Sequence, residues 1–226
     1  MTEKASRERK QIVKEQTQIF EPTKKSVNII IVAVTVLVFF VMQFWEKSIT
    51  EGTFYEHTTE FLLQHGALYG PGIFEGEWYR LVTHMFLHTD IWHLGNNMLI
   101  LFCLGNALEH YVGKISYVAI YFFSGILAGL GSVVYNTDNI VSVGASGAVF
   151  GVVGAMVWLV VKNRGKLEGF TVPRMVLFVA MSIYAGFVDQ DVNNAAHIAG
   201  FIAGFLLAVL LYRKRSEPEA ETEVIP

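Results

Sequence analysis

One feature limits this chain more than any other. Val27–Trp45 (VNIIIVAVTVLVFFVMQFW) is an apolar run without a single charge. About 20 such residues cross the ~30 Å hydrocarbon core of a bilayer as a helix. A backbone in lipid must satisfy its own hydrogen bonds, so such a run can only be helical or part of a closed barrel. Ile115–Tyr135, Gly144–Val161 and Asn194–Tyr212 are also long enough. Trp92–Tyr111 is diluted by His93, Asn96, Asn97 and Asn106, and Phe170–Val188 holds Pro173 and Arg174 at its entrance. Of the 226 residues 53% are hydrophobic and 16% charged, against about 25% charged in soluble domains. The fold class expected is therefore all-α, a six-helix membrane bundle with a long, partly embedded outer loop over Glu46–Ile91.

Charge orients the bundle. Of the 17 basic residues, all but Lys47 and Arg80 fall on one side if the N-terminus is cytoplasmic. The positive-inside rule then gives six spans with both termini inside. Residues 1–26 form a cytoplasmic segment, 27–212 the membrane domain, and 213–226 an acidic, solvated tail. The N-terminus does not read as a cleavable signal peptide. The lone Cys103 cannot form an internal disulfide. A net charge of −3 gives no footprint for nucleic acid.

Polar residues inside membrane helices are costly and need a reason. Ser146, in Gly144-Ala145-Ser146-Gly147, falls in the first turn of the fourth helix, on the outer side. A serine among small residues is more often a packing residue, but a helix start also offers free N–H groups to a developing oxyanion. His197 lies about one turn into the sixth helix, at similar depth. Gly200 and Gly204 follow it at i+3 and i+7, where small residues let another helix approach. A lone membrane histidine is usually structural; paired with a serine it can act as general base. The two side chains are expected at hydrogen-bonding distance. No carboxylate lies nearby to orient the imidazole, so a dyad is favoured over a triad. A third cluster, His84, His88, His93 and Asn97, runs from the outer loop into the second helix. His93 and Asn97 share a face at i, i+4 and, with the Ser146 backbone N–H, could bind an oxyanion. Interhelical hydrogen bonding is the alternative for each. A metal site is disfavoured because no acidic residue has a zincin-like spacing.

Taken together and in order, Trp78-Tyr79-Arg80, the His84/His88/His93/Asn97 string, Gly144-Ala145-Ser146-Gly147 and Ala196-His197-Ile198-Ala199-Gly200 resemble the rhomboid family, from about Gly66 to Gly204. The resemblance implies a serine-type endopeptidase that cuts transmembrane protein substrates within the bilayer. It implies Ser146 as nucleophile, His197 as base, and His93, Asn97 and the Ser146 N–H as oxyanion donors. Phe150, where well-known members have tyrosine, would stack on His197. Glu109 would belong to a structural hydrogen-bonded cluster, with Tyr111 replacing the usual arginine two residues on, and Trp78–Arg80 would be structural. The first helix carries nothing that ties it to the family. No cofactor or metal is implied. A bacterial cell membrane is the expected location, with the site open to the outer face. Substrate identity, pathway and oligomeric state are not encoded in any legible way.

Overall fold

The computed structural model describes residues 26–49, 55–135, 141–167, 170–188 and 193–212. The basic residues of the N-terminal segment, Arg213–Arg215 and the acidic tail lie outside these. Each of the six apolar runs is helical. The helices are α1 (Val27–Ile49), α5 (Ile91–Val112), α6 (Lys114–Tyr135), α7 (Ser146–Lys162), α8 (Val172–Val188) and α9 (Asn194–Leu211). Among the described residues four, α1, α5, α6 and α9, are long and apolar enough to cross a membrane. Helices α7 and α8 have 17 residues each.

Helix α1 shows how lipid and protein divide one helix. Ile30, Val34, Leu37, Val41 and Phe44 recur at three- and four-residue steps and are exposed, whereas Asn28, Ile31, Thr35, Phe39, Met42, Gln43 and Glu46 are buried. The outward stripe is apolar because its solvent is hydrocarbon; the inward one carries the polar groups. Thr35 satisfies its hydroxyl on the Ile31 carbonyl at 2.8 Å.

Helix α7 is central: Gly147 through Met156 are all buried. Its closest neighbour is α9, with α6 packed against both, while α8 touches the bundle sparingly and exposes Val176, Leu177, Met181 and Tyr184. Glycines allow this approach. A Cβ on Gly200 would overlap the Gly147 carbonyl oxygen, and one on Gly204 the Gly151 carbonyl oxygen. The α7–α9 contact is therefore backbone on backbone, a form of van der Waals packing that serves membrane helices well.

The segment between α1 and α5 is built from short pieces: α2 (Thr59–Gln64), β1 (Leu68–Tyr69), α3 (Gly70–Phe74), α4 (Arg80–Thr83) and a 3-10 turn at His84–Phe86. Strand β1 pairs antiparallel with β2 (Val141–Ser142), Leu68 opposite Ser142. Arg80 is its staple. Its Nη1 donates to the Leu63 and Ala67 carbonyls at 2.8 Å and its Nε to Glu77 at 2.7 Å.

Element boundaries differ from expectation for local reasons. The fourth helix begins at Ser146 rather than Gly144, because Gly144 sits at φ 121°, outside the helical region. The fifth begins after the hairpin β3 (Lys166–Leu167) and β4 (Phe170–Thr171). The second starts one residue earlier than Trp92, because the Asp90 carboxylate caps the N–H groups of Trp92 and His93 at 2.8 and 2.9 Å. The first continues past Trp45 to Ile49 and so carries Glu46 within it.

Candidate active site

The turn before α7 is where the polar residues at this end of the bundle converge. His84 contributes its backbone, since its carbonyl accepts from Gly144 N–H at 2.9 Å. Its ring donates Nδ1–H to the Arg80 carbonyl at 2.7 Å. Burial holds that ring's pKa down to about 4, against the opposing pull of this bond. His88 contributes its ring, with Nε2 accepting from Ala145 N–H at 3.4 Å. Burial, helped by nearby His93, holds its pKa down to about 3, so the acceptor lone pair persists at neutral pH. His93 and Asn97 then face the turn. A Cβ built on Gly144 would lie 2.7 Å from His93 Nε2 and 3.8 Å from Asn97 Nδ2. Glycine is thus required at 144 twice, by its positive φ and by the imidazole against its Cα.

His197 reaches the same place from α9. Its ring stacks on Phe150, with centroids 4.2 Å apart and planes 11° from parallel. Phe150 is one turn beyond Ser146 on the same face of α7, so the imidazole lies over the face that carries the hydroxyl. Ser146 is half-buried and His197 is buried. Among the described residues no hydrogen bond joins the Ser146 hydroxyl to His197. Such bonds are commonly loose until a substrate closes the site. The start of α9 is itself anchored. Asn193 caps it through Ala196 N–H at 3.1 Å and donates its amide to Ser132 of α6 at 2.5 Å and Ser142 of β2 at 3.1 Å. The sequence reading missed Asn193; an asparagine just ahead of an apolar run is a cap signal that could have found it.

Two atoms near this turn, Asn97 Nδ2 and His197 Nδ1, are buried with no hydrogen-bond partner. Buried polar groups are rarely left so. Asn97 is thus a free donor beside the helix start, and His197 has no carboxylate on Nδ1.

The remaining candidates sit elsewhere. Glu109 is at the far end of α5. Its carboxylate accepts from Ser26 Oγ at 2.7 Å, Val27 N–H at 3.0 Å and Asn28 N–H at 2.9 Å, capping α1 across the bundle. Asn28 in turn accepts from Tyr117 Oη at 2.5 Å and donates to the Leu101 carbonyl at 3.0 Å and Asn106 at 2.8 Å. Leu101 opens a π turn, Leu101–Gly105, whose widened backbone offers that carbonyl sideways. Trp78 is 60% exposed and takes no part in the Arg80 staple. A further cluster went unread. Glu46 near the C-terminal end of α1 meets His57 Nδ1 at 2.6 Å and accepts from Thr58 N–H and Oγ1 at 2.9 and 2.6 Å.

A family model for the rhomboid domain matches residues 75–214. The chain belongs to the rhomboid family. It is 31% identical over 198 residues to Rhomboid protease GluP of Bacillus subtilis (strain 168), covering 88% of this chain and 37% of that protein. It is 35% identical over 164 residues to RHOMBOID-like protein 5 of Arabidopsis thaliana, covering 71% and 53% respectively. With Rhomboid protease AarA of Providencia stuartii it shares 32% over 170 residues, covering 63% and 60%. The chain thus spans less than two thirds of the length of each of these three rhomboid relatives. With its apolar helices, family membership makes it an integral membrane protein.

Proposed function

We propose that this rhomboid is an intramembrane serine endopeptidase acting on transmembrane protein substrates, with Ser146 as nucleophile and His197 as base. The observation that carries the reading is the convergence on one turn. Two histidines hold the backbone of Gly144 and Ala145, His93 and Asn97 face that backbone, and His197 stacks one helical turn away. A shape so heavily determined around one hydroxyl suits catalysis better than packing.

In the proposed mechanism the Ser146 hydroxyl gives its proton to His197 as its oxygen bonds to the scissile carbonyl carbon. The carbonyl oxygen becomes an oxyanion, met by the Ser146 N–H, Asn97 and His93. Collapse expels the amine, which takes the proton from His197 and leaves an acyl-enzyme. Water, deprotonated by His197, then releases the acid and regenerates Ser146. Phe150 fixes the ring plane by stacking. The unpartnered Nδ1 of His197 supports a dyad rather than a triad.

Six spans with both termini cytoplasmic, a membrane domain of residues 27–212 flanked by cytoplasmic segments, and a bacterial cell membrane complete the proposal. At 1.5 Å per residue the 17 residues of α7 measure about 26 Å, short of the ~30 Å core. With its far end at the cytoplasmic boundary, Ser146 lies a few ångströms below the outer one. A substrate must present an extended segment there, so helix-weakening residues near its outer end should favour cleavage. The test is turnover of a reporter membrane segment by wild type and S146A in the same lipid. Cleavage by wild type alone supports the reading; equal cleavage by both removes it.

A further inference from the structure

The link just ahead of α5 holds a proton arrangement that the proposed mechanism does not use. Thr89 Oγ1 donates to Asp90 Oδ2 at 2.9 Å and lies 3.1 Å from His93 Nδ1. A hydroxyl has one proton. The Asp90 carboxyl is held below its usual range: burial raises it, but the N–H groups of His93 and Trp92 and the Thr89 hydroxyl outweigh that. It is therefore an ionised acceptor, and the Thr89 proton is committed to it. Thr89 can then only accept from the imidazole, which puts a proton on His93 Nδ1. The opposite nitrogen, Nε2, is the one that faces Gly144.

Resting on the protease reading above, we infer that Thr89 is a positioning residue for the oxyanion site, fixing the proton of His93 on Nδ1 through an Asp90–Thr89–His93 relay. A neutral ring in that state shows a bare nitrogen to the oxyanion and cannot donate. His93 becomes a donor only after taking a second proton from water, and it then donates a charge-assisted bond. The Asp90 charge, passed through Thr89, offsets the cation. The other titratable groups around the ring are His88, whose ring centroid is 5.0 Å away, and His197 across from α9. Thr89 is exposed, and the capping of α5 uses Asp90 Oδ1. Removing the Thr89 hydroxyl therefore leaves the cap in place. The backbone of this link is tied separately, through His57 N–H to the Thr89 carbonyl at 2.7 Å.

The test uses the full-length protein in lipid nanodiscs with nitrogen-15 histidine, His93 being assigned by its loss in H93A. The wild-type His93 signal should show the proton on Nδ1, retained in T89S and displaced toward Nε2 in T89V. In parallel the turnover of wild type and T89S should depend on a second proton at His93, whereas T89V, whose neutral ring already carries Nε2–H, should lose that part of the pH profile. An Nε2–H ring in the wild type overturns the inference, as does a T89V protein that keeps the wild-type pH profile. Neither result touches the wider reading, which fails only if S146A still cleaves.

Discussion

The two ends of α5 make opposite use of the same kind of residue. At one end Glu109, Ser26 and Asn28 spend their polar atoms on one another and on the first turn of α1. At the other, Asn97 Nδ2 and His197 Nδ1 are buried without partners near the turn that leads to Ser146. Both clusters cost free energy to bury. The first recovers it on folding. The second leaves the Asn97 donor beside the turn where charge can develop, as a preorganised site requires. The first cluster spends most of its polar atoms on itself, Asn106 Nδ2 excepted, whereas Asn97 keeps its donor for the turn.

The sharpest way to break this comparison is to cut one residue at each end. Asn97→Ala removes a donor with no bond to lose. Its kcat should fall by about 10²–10³ while the thermal midpoint of the purified protein stays within error; a clear loss of stability would make Asn97 scaffold. Glu109→Ala should behave the other way. It strips the cap from α1, leaving the Val27 and Asn28 backbone N–H groups unpaired, at about 2 kcal/mol or more in total. Denaturation should shift strongly, while turnover per folded molecule changes only a few-fold.

Acid probes the buried rings of the segment between α1 and α5. His84 and His88 are neutral when folded, with pKa values near 4 and 3, against about 6.5 unfolded. Between those values the unfolded chain binds more protons. Their contribution is therefore complete above about pH 6.5 and is lost as pH falls, by roughly 1 kcal/mol per pH unit for each ring. Thermal midpoints should drop from pH 7 to pH 5, and H84N should flatten the slope. The smallest effect is expected at Phe150. Phe150→Tyr keeps the stacked ring and should alter kcat by less than about threefold, whereas Phe150→Leu loses the stacking, worth about 1 kcal/mol.

Much of this was legible in the sequence because it is periodic or local. The apolar runs announced the helices, and Ser146 and His197 stood out as polar residues at equal depth beside glycines. The His84–Asn97 string was seen, but its division of labour was not. That His84 acts through its carbonyl while His88 acts through its ring depends on how the 3-10 turn meets Gly144, and no spacing encodes that. The partners of Glu109 were missed for a related reason. Ser26 and Asn28 lie some eighty residues away, and only their polarity at the edge of an apolar run hinted at a buried role. Glu46 with His57 is hidden the same way, just beyond the last apolar residue of the first run.

The measurement that bears most directly on the central claim is labelling by a serine-directed fluorophosphonate in lipid. Wild type should be modified at Ser146 and nowhere else. S146A should not react at all, and H197A should react far more slowly despite an intact hydroxyl. Equal labelling of wild type and H197A would show that the imidazole stacked on Phe150 does not activate the serine, and the site described here would not be catalytic.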